Sequence, residues 1–252
     1  MAALPGAVAV AGWPPRGSFL YQLPPQSRDA LLAAGTSCGF RSNQRLISQG
    51  EDSMHVLVLC AGRVKITLDT VDGQRILIEV RSAGDLVGEM EPLLGEGPRV
   101  ASVTAIGPMQ ALVLDGPKFL ALLHRHVDID MTLLRFTTRR LQAMNASRID
   151  LSQSVRGRLY RLLDHLVDRY GEPVSGGPQI RIDIALSQSE LASSIAASDS
   201  MVERIMRDLR EQGIVTSRYR KITVHRPAVL HRLAHPPAAP ADLVSRQPQR
   251  RL

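Results

Sequence analysis

The sequence predicts an α+β fold: a small barrel or jelly roll of strands, then long helices, then a short helix pair followed by a β-hairpin. Three observations carry this expectation. Short alternating runs broken by glycine fill residues 40 to 115, helical periodicity runs from Pro117 to about Tyr170, and a capped pair of short segments starts at Ser187. At 252 residues, 44% hydrophobic and 22% charged, the chain can bury a proper core in one large or two modest domains. No apolar run approaches the roughly 18 residues that a membrane span needs. The first residues lack a basic-then-apolar leader. Cys38 and Cys60 are too few for a disulfide framework or a four-cysteine metal site. A cytoplasmic protein with no metal and no membrane attachment is expected.

Residues 1–24 are rich in Ala, Gly and Pro, lack periodicity and read as a disordered arm; residues 233–252 repeat that character as a tail. Strands are expected at His55–Cys60, Val64–Leu68, Arg75–Val80, Ala101–Ala105 and Gln110–Leu114, and strands so short and evenly spaced suit a barrel or jelly roll. Asp72-Gly73 lies between two of them, and that dipeptide tolerates the positive φ of a hairpin turn. In the helical stretch, Leu134, Leu141 and Arg148 with Thr137, Met144 and Leu151 fall at heptad a and d positions. Such a seam pairs either with its copy in a second chain or with a neighbouring helix of its own chain.

The C-terminal third is the most legible. Ile180–Ile184 reads as a strand. Ser187 and Glu190 have capping-box spacing and open a helix from Ser189 to Ile195. Ser198 is a second N-cap candidate, with Asp199 suiting the positive end of a helix that runs to Glu211 and stops at Gly213. Val202, Ile205, Met206 and Leu209 form its apolar face, and Ile214–His225 then reads as a hairpin with a basic tip, Ser217–Lys221. Two helices, a tight turn and a basic hairpin make a winged helix-turn-helix pattern, whose second helix enters the major groove of DNA. Charge agrees: residues 1–150 hold fifteen Lys/Arg against fourteen Asp/Glu, while residues 151–252 hold sixteen against ten. That asymmetry suits a polyanionic partner, and equally a solvated basic surface.

A second constellation is Gly84-Asp85, Gly88-Glu89-Met90 and Arg99-Val100-Ala101. A turn at Gly88-Glu89 aims backbone amides at an anion, Arg99 suits a bidentate pair with phosphate, and Glu89 suits a ribose hydroxyl. A carboxylate and a guanidinium in one loop also make a structural ion pair. No nucleophile–base pair or metal set accompanies Glu89, so an enzyme is not expected.

Over residues 40 to 230 the chain resembles the CRP/FNR family of bacterial transcription regulators. The resemblance rests on Gly62, Gly73, Gly84-Asp85, Gly88-Glu89 with Arg99-Val100-Ala101, Arg139-Arg140-Leu141-Gln142, Gly157-Arg158 and the order of the helix-turn-helix. It implies a cyclic-nucleotide-binding β-roll at 25–127, a dimerisation helix at 128–152 and a winged-helix DNA-binding domain at 153–232. The function implied is a homodimeric, sequence-specific regulator that binds double-stranded DNA, works with RNA polymerase and is controlled by a small effector. cAMP is the expected effector; a different nucleotide, or no ligand in a degenerate pocket, is the alternative.

By the same resemblance the ligand residues are Gly88, Glu89, Met90, Arg99, Val100 and Ala101, joined on the long helix by Met144 and Asn145. The DNA-facing candidates are Ser187, Gln188, Ser198, Asp199, Ser200, Arg204 and Arg207, with Arg218, Arg220 and Lys221 on the wing for phosphates. Four departures stand out. Val100 replaces a phosphate-contacting serine of the cAMP-responsive members, and Met144 cannot replace a hydroxyl. Asp199 and Ser200 stand where those members carry base-reading arginine and glutamate, so the operator is expected to differ. Ala196 takes a turn position where glycine is common, which predicts mild strain.

Overall fold

The structure is a computed structural model that describes residues 13–150, 154–218 and 221–236, with the side chains of 143–150 left out. In chain order the elements are α1 (Phe19–Gln22), α2 (Pro25–Ala34), β1 (Thr36–Phe40), β2 (Arg45–Ile47), β3 (Val56–Asp69), β4 (Arg75–Ser82), β5 (Leu86–Val87), α3 (Met90–Leu94), β6 (Ser102–Leu114), α4 (Gly116–Arg125) and α5 (Val127–Asp150). There follow α6 (Val155–Tyr170), β7 (Gly171–Pro173), β8 (Ile180–Ile182), α7 (Gln188–Ser194), α8 (Asp199–Glu211), β9 (Val215–Arg218), β10 (Lys221–Val224) and α9 (Pro227–Ala234). They form two compact units, residues 1–152 with 185–199 and residues 153–184 with 200–252.

The first unit is built on an antiparallel sheet in the order β1-β6-β3-β4, with β2 on β6 and β5 on β3. Its central strand is covered on both faces. Val56 and Val58 join a cluster with Phe19, Leu31, Phe119 and Ile129 from the helices, while Leu57 and Leu59 join Ile47, Val87 and Val103 inside the roll. Period-two alternation sends neighbouring residues to opposite cores, so the segment reads as a continuous apolar run.

The structure departs from expectation in two places. The runs at 55–60 and 64–68 are one strand, β3, and those at 101–105 and 110–114 are one strand, β6; register shifts at Leu59, Ala61 and Arg63 absorb the irregularity between them. Gly62 adopts φ +83° at that point, and a Cβ there would lie 2.5 Å from Met109 Cβ and 2.9 Å from the Pro108 carbonyl oxygen. The glycine marks a bulge where two strands cross closely rather than a strand end.

The N-terminal arm also departs from expectation. Residues 13–24 are anchored at several points: Phe19 and Leu20 are fully buried, Ser18 caps α1 by accepting from the Tyr21 amide at 3.3 Å, and the Trp13 indole donates to the Cys60 carbonyl at 3.1 Å. The average composition of this stretch conceals one apolar cluster whose burial orders it. The first twelve residues of the expected arm, and residues 237–252 of the expected tail, lie outside the described residues. Residues 233 and 234 are not tail, because α9 continues through Ala234, which is buried.

The hairpin at Asp72-Gly73 joins β3 to β4, with Gly73 at φ +75°. The long helix α5 buries Ile129 and Leu133 against the roll and leaves Val127, Met131, Leu134 and Leu141 at least 40% exposed. With Thr138, also exposed, these positions advance in steps of four and three. The exposed seam therefore pairs Leu134 and Leu141 with Met131 and Thr138; Thr137 lies beside it, and Met144, Arg148 and Leu151 lie outside the described side chains.

In the second unit, Ser154 caps α6 by accepting from the Gly157 amide at 3.2 Å, and the helix buries Leu159, Leu163, Leu166 and Val167. The sheet order is β7-β8-β10-β9, all antiparallel. Val202, Ile205, Met206 and Leu209 of α8 are buried, and α9 adds Leu230 and Ala234.

Candidate functional site

The segment expected to bind a ligand in the first unit starts where β5 ends. Gly88 sits at φ +79°, and a Cβ on it would come within 2.7 Å of Ile47 Cδ1 and 3.0 Å of the His55 carbonyl oxygen, so this position accepts glycine alone. The chain then turns into α3, which carries Glu91, and returns at Arg99.

Arg99 is 2% exposed and its donors are spent inside the protein. Nε donates to Ser53 Oγ at 2.9 Å, Nη1 to the Gly88 carbonyl at 2.9 Å and to Glu91 Oε2 at 2.6 Å, and Nη2 to the His55 carbonyl. The other oxygen of Glu91 accepts from the Val100 amide at 3.1 Å. One carboxylate thus bridges the guanidinium of Arg99 and the backbone N–H of Val100. Burial and the nearby Arg99 charge push the His55 imidazole below its ordinary range.

Glu89 is 4% exposed and paired differently. Its Oε1 accepts from Arg140 Nη1 of α5 at 2.9 Å and from Arg81 Nη1 at 3.2 Å. Burial alone would raise the Glu89 carboxyl, but Arg81 and Arg140 outweigh it and hold the group below the usual carboxylate range. Arg140 rests its guanidinium 4.7 Å from the Phe136 ring centroid, and its buried Nη2 has no hydrogen-bond partner among the described residues.

The loop therefore does hold a structural ion pair, and its members are Arg99 and Glu91. Glu91, Arg81 and Arg140 escaped sequence reasoning as site residues. The available signals were an acidic residue inside the run Met90–Leu94 and, for Arg140, the Arg139-Arg140-Leu141-Gln142 stretch that carries the family resemblance. Met90 and Val100 present half-exposed side chains, Ala101 is partly buried, and Met144 and Asn145 lie outside the described side chains.

The DNA-binding candidates divide into those that build the turn and those that face solvent. Ser187 and Glu190 form a complete capping box, with the Ser187 amide 2.7 Å from Glu190 Oε2 and the Glu190 amide 3.2 Å from Ser187 Oγ. The Lys65 ammonium also pairs with Glu190, and that pairing with the Ser187 contacts overrides burial to keep the carboxyl low. Gln188 donates to the Asp199 carbonyl at 2.9 Å, and Ser189 donates to the Asp199 carboxylate. Asp199 thus ties α7 to the start of α8. Ala196 adopts φ +50°, the left-handed conformation expected to strain it.

On α8, Ser200, Glu203, Arg204 and Arg207 line an open cavity of about 390 Å³ together with Met201. Arg204 Nη2 lies 3.2 Å from Met201 Sδ, and Arg207 pairs one turn back with Glu203 at 3.3 Å. Ser198 and Arg218 are exposed, Lys221 lies 3.8 Å from Asp183, and Arg220 is outside the described residues. Solvent-facing cations on a helix seated by an apolar face suit a phosphate-lined groove. Burial pushes the Cys60 thiol up to about 11, so this cysteine is no thiolate at neutral pH.

Comparison with known proteins agrees with this geometry. Residues 38–126 match the cyclic nucleotide-binding domain and residues 157–233 match the Crp-like helix-turn-helix domain. The chain is 27% identical over 199 residues to the CRP-like cAMP-activated global transcriptional regulator of Mycobacterium tuberculosis, covering 79% of this chain and 88% of that one. It is 28% identical over 222 residues to the cyclic AMP receptor protein of Thermus thermophilus, covering 87% and 98%. The fold is also similar to that of the c-di-GMP responsive global regulator CLP of Xanthomonas campestris, with a TM-score of 0.66 at 17% identity over 79% of this chain and 98% of that one. Among the described residues no helix is long and apolar enough to cross a membrane. With both domains in this order, and with relatives that are transcription regulators rather than enzymes, the chain belongs to the CRP/FNR family of bacterial transcription regulators.

Proposed function

We propose that this protein is a cytoplasmic, homodimeric, sequence-specific regulator whose β-roll takes a cyclic nucleotide, and that its own Glu91 competes with that nucleotide for the anion-binding donors. One observation carries the effector reading. The Arg99 guanidinium and the Val100 amide already converge on a single carboxylate. A donor pair gathered on one anion is what a cyclic phosphate requires, and here Glu91 fills it. Glu89 remains the candidate for a ribose hydroxyl, and Arg140 Nη2 offers a buried donor in need of an acceptor. cAMP is the nucleotide to try first, because the Mycobacterium and Thermus relatives are cAMP proteins by name.

The exposed α5 row of Val127, Met131, Leu134, Thr138 and Leu141 supports pairing with a second copy through heptad packing. Two recognition helices in such a dimer meet half-sites about one DNA turn apart. The effector gates DNA binding only if it prefers the DNA-competent dimer. RNA polymerase enters as a partner through the family resemblance.

Calorimetric titration with cAMP tests the reading, using the wild type, Glu91→Gln and Arg99→Lys. Removing the internal charge should tighten binding by about 10- to 100-fold, the worth of one charged hydrogen bond, while Arg99→Lys loses binding. The ligand-independent alternative predicts no heat in any of the three, with DNA affinity unmoved by cAMP. That outcome would sink the effector half of the proposal.

A further inference from the structure

The second unit contains a group of side chains that the regulator function does not use. Asp164 lies on α6 and is 5% exposed, and one of its oxygens, Oδ2, faces two imidazoles, one from α9 and one from its C-cap residue. His231 Nδ1 stands 2.9 Å from that oxygen and His235 Nε2 stands 3.1 Å from it. The three ligand atoms all lie within 4.8 Å of one another, and the two rings are 4.7 Å apart at their centroids. Both rings are more than half exposed, so a cation can reach them from solvent.

We infer that Asp164, His231 and His235 form a binding site for a divalent transition ion of the zinc type. The geometry is nearly that of a ligand set. Metal–ligand bonds of about 2.0–2.2 Å at tetrahedral angles place ligand atoms about 3.3 Å apart. The observed nitrogen–oxygen separations need to open by only a few tenths of an ångström. The end of α9 supplies the placement: His231 lies in its last turn and His235 is its C-cap, whose amide donates to the His231 carbonyl at 2.9 Å and so holds both residues beside α6.

The donor chemistry selects the ion. Two imidazoles and one carboxylate suit Zn²⁺, Ni²⁺ or Co²⁺, whereas Mg²⁺ and Ca²⁺ prefer all-oxygen sets. Asp168 is four residues after Asp164 on α6 and lines the same groove as Asp164 and His231, an open cavity of about 510 Å³. A water completes the coordination. The ion takes the ring nitrogen that faces the carboxylate: a neutral ring carries its single proton on the other nitrogen, and a protonated ring releases one proton on binding. An ion held there fastens α9 to α6 and stabilises the unit by mass action.

The test uses the full chain, free of any polyhistidine tag and stripped with a chelator. Co²⁺ is titrated by its visible absorption and Zn²⁺ by competition with a chromophoric chelator, alongside thermal unfolding. One equivalent should bind per chain, and Zn²⁺ should raise the unfolding temperature of the wild type. His235→Gln, at an exposed helix end, should fold normally yet bind at least about 10-fold more weakly and lose the thermal shift. His231→Gln should behave alike, while His124→Gln, on a different helix, should match the wild type. Equal binding by His235→Gln and wild type, or no one-equivalent saturation, would leave Asp164 with two hydrogen-bonded histidines only and overturn the site. Neither result bears on the cAMP titration, which reads residues of the other unit.

Discussion

In the β-roll, Arg81 and Arg99 are buried and spend their donors on Glu89, Glu91 and backbone carbonyls. On α8, Arg204 and Arg207 stand in solvent beside one thioether and one i,i+4 carboxylate. The same side chain type is set in two kinds of construction, which suit the two sites proposed above. A pocket for a small anion needs its cations held in place before the ligand arrives, and in a low-dielectric interior a cation must be neutralised meanwhile. A surface for DNA meets a partner that brings its own charge, so its cations stay hydrated and the scaffold below them is held by apolar packing. Burial makes the first site part of the fold, whereas the second is an addition to it.

The largest test of that contrast is stability. Arg99→Ala leaves Glu91 buried without its partner and should cost the first unit about 3–5 kcal/mol. Arg204→Ala should stay within about 0.5 kcal/mol of the wild type. Urea denaturation of both variants reads the difference, and equal stabilities would remove the distinction between the two sites.

DNA binding should invert the ranking. Arg204→Ala should weaken binding to an operator selected from a random library by about 1–3 kcal/mol and relax the preference at one base position. Arg218→Ala, on the wing, should weaken all sequences alike and lower the slope of log affinity against log salt by about one. If Arg204→Ala weakened all sequences equally, Arg204 would be a phosphate contact.

Acid should reach the β-roll through Glu89. Its folded carboxyl lies below the unfolded value of about 4.3. The stabilisation it contributes is therefore complete above that value and lost as pH falls through the lower folded value. Glu89→Gln should lower the unfolding temperature at pH 7, and the gap to the wild type should close below about pH 4. A gap that stays constant down to pH 3 would mean that the Glu89 charge does not hold the network together.

The smallest effect belongs to the turn before α8. Relieving the positive φ of Ala196 with Ala196→Gly gains about 1–2 kcal/mol from the left-handed conformation and returns about 0.5–1 kcal/mol as unfolded-chain entropy. A net stabilisation of up to about 1.5 kcal/mol should appear in thermal unfolding. Destabilisation would show that the Ala196 methyl contributes packing that outweighs its strain.

Features whose physics is local were legible in the sequence. The Asp72-Gly73 turn and the Ser187–Glu190 capping box depend on residues at most four apart. The α8 limits, Asp199 to Glu211, follow from an apolar stripe and a glycine stop at Gly213. Gly88 and Arg99 were recognisable by motif. What Arg99 touches was not, because Glu89, Glu91 and Glu96 all lie within ten residues of it and spacing cannot rank them.

The sequence by itself determined where the chain alternates, where it coils and where it turns, since backbone preference and side-chain period act over a few residues. It also determined the cassette and the helix-turn-helix, whose residue types and order are particular to their chemistry. Only the tertiary structure decided the partners. It ran β3 and β6 through their glycines as unbroken strands, folded Phe19 and Leu20 into the core, and gave Glu91 to Arg99 and Glu89 to Arg81 and Arg140. It brought Asp164 to two histidines 67 and 71 residues away. Burial and charge pairing depend on distance in space, and the fold sets those distances across sequence separations that no local pattern encodes.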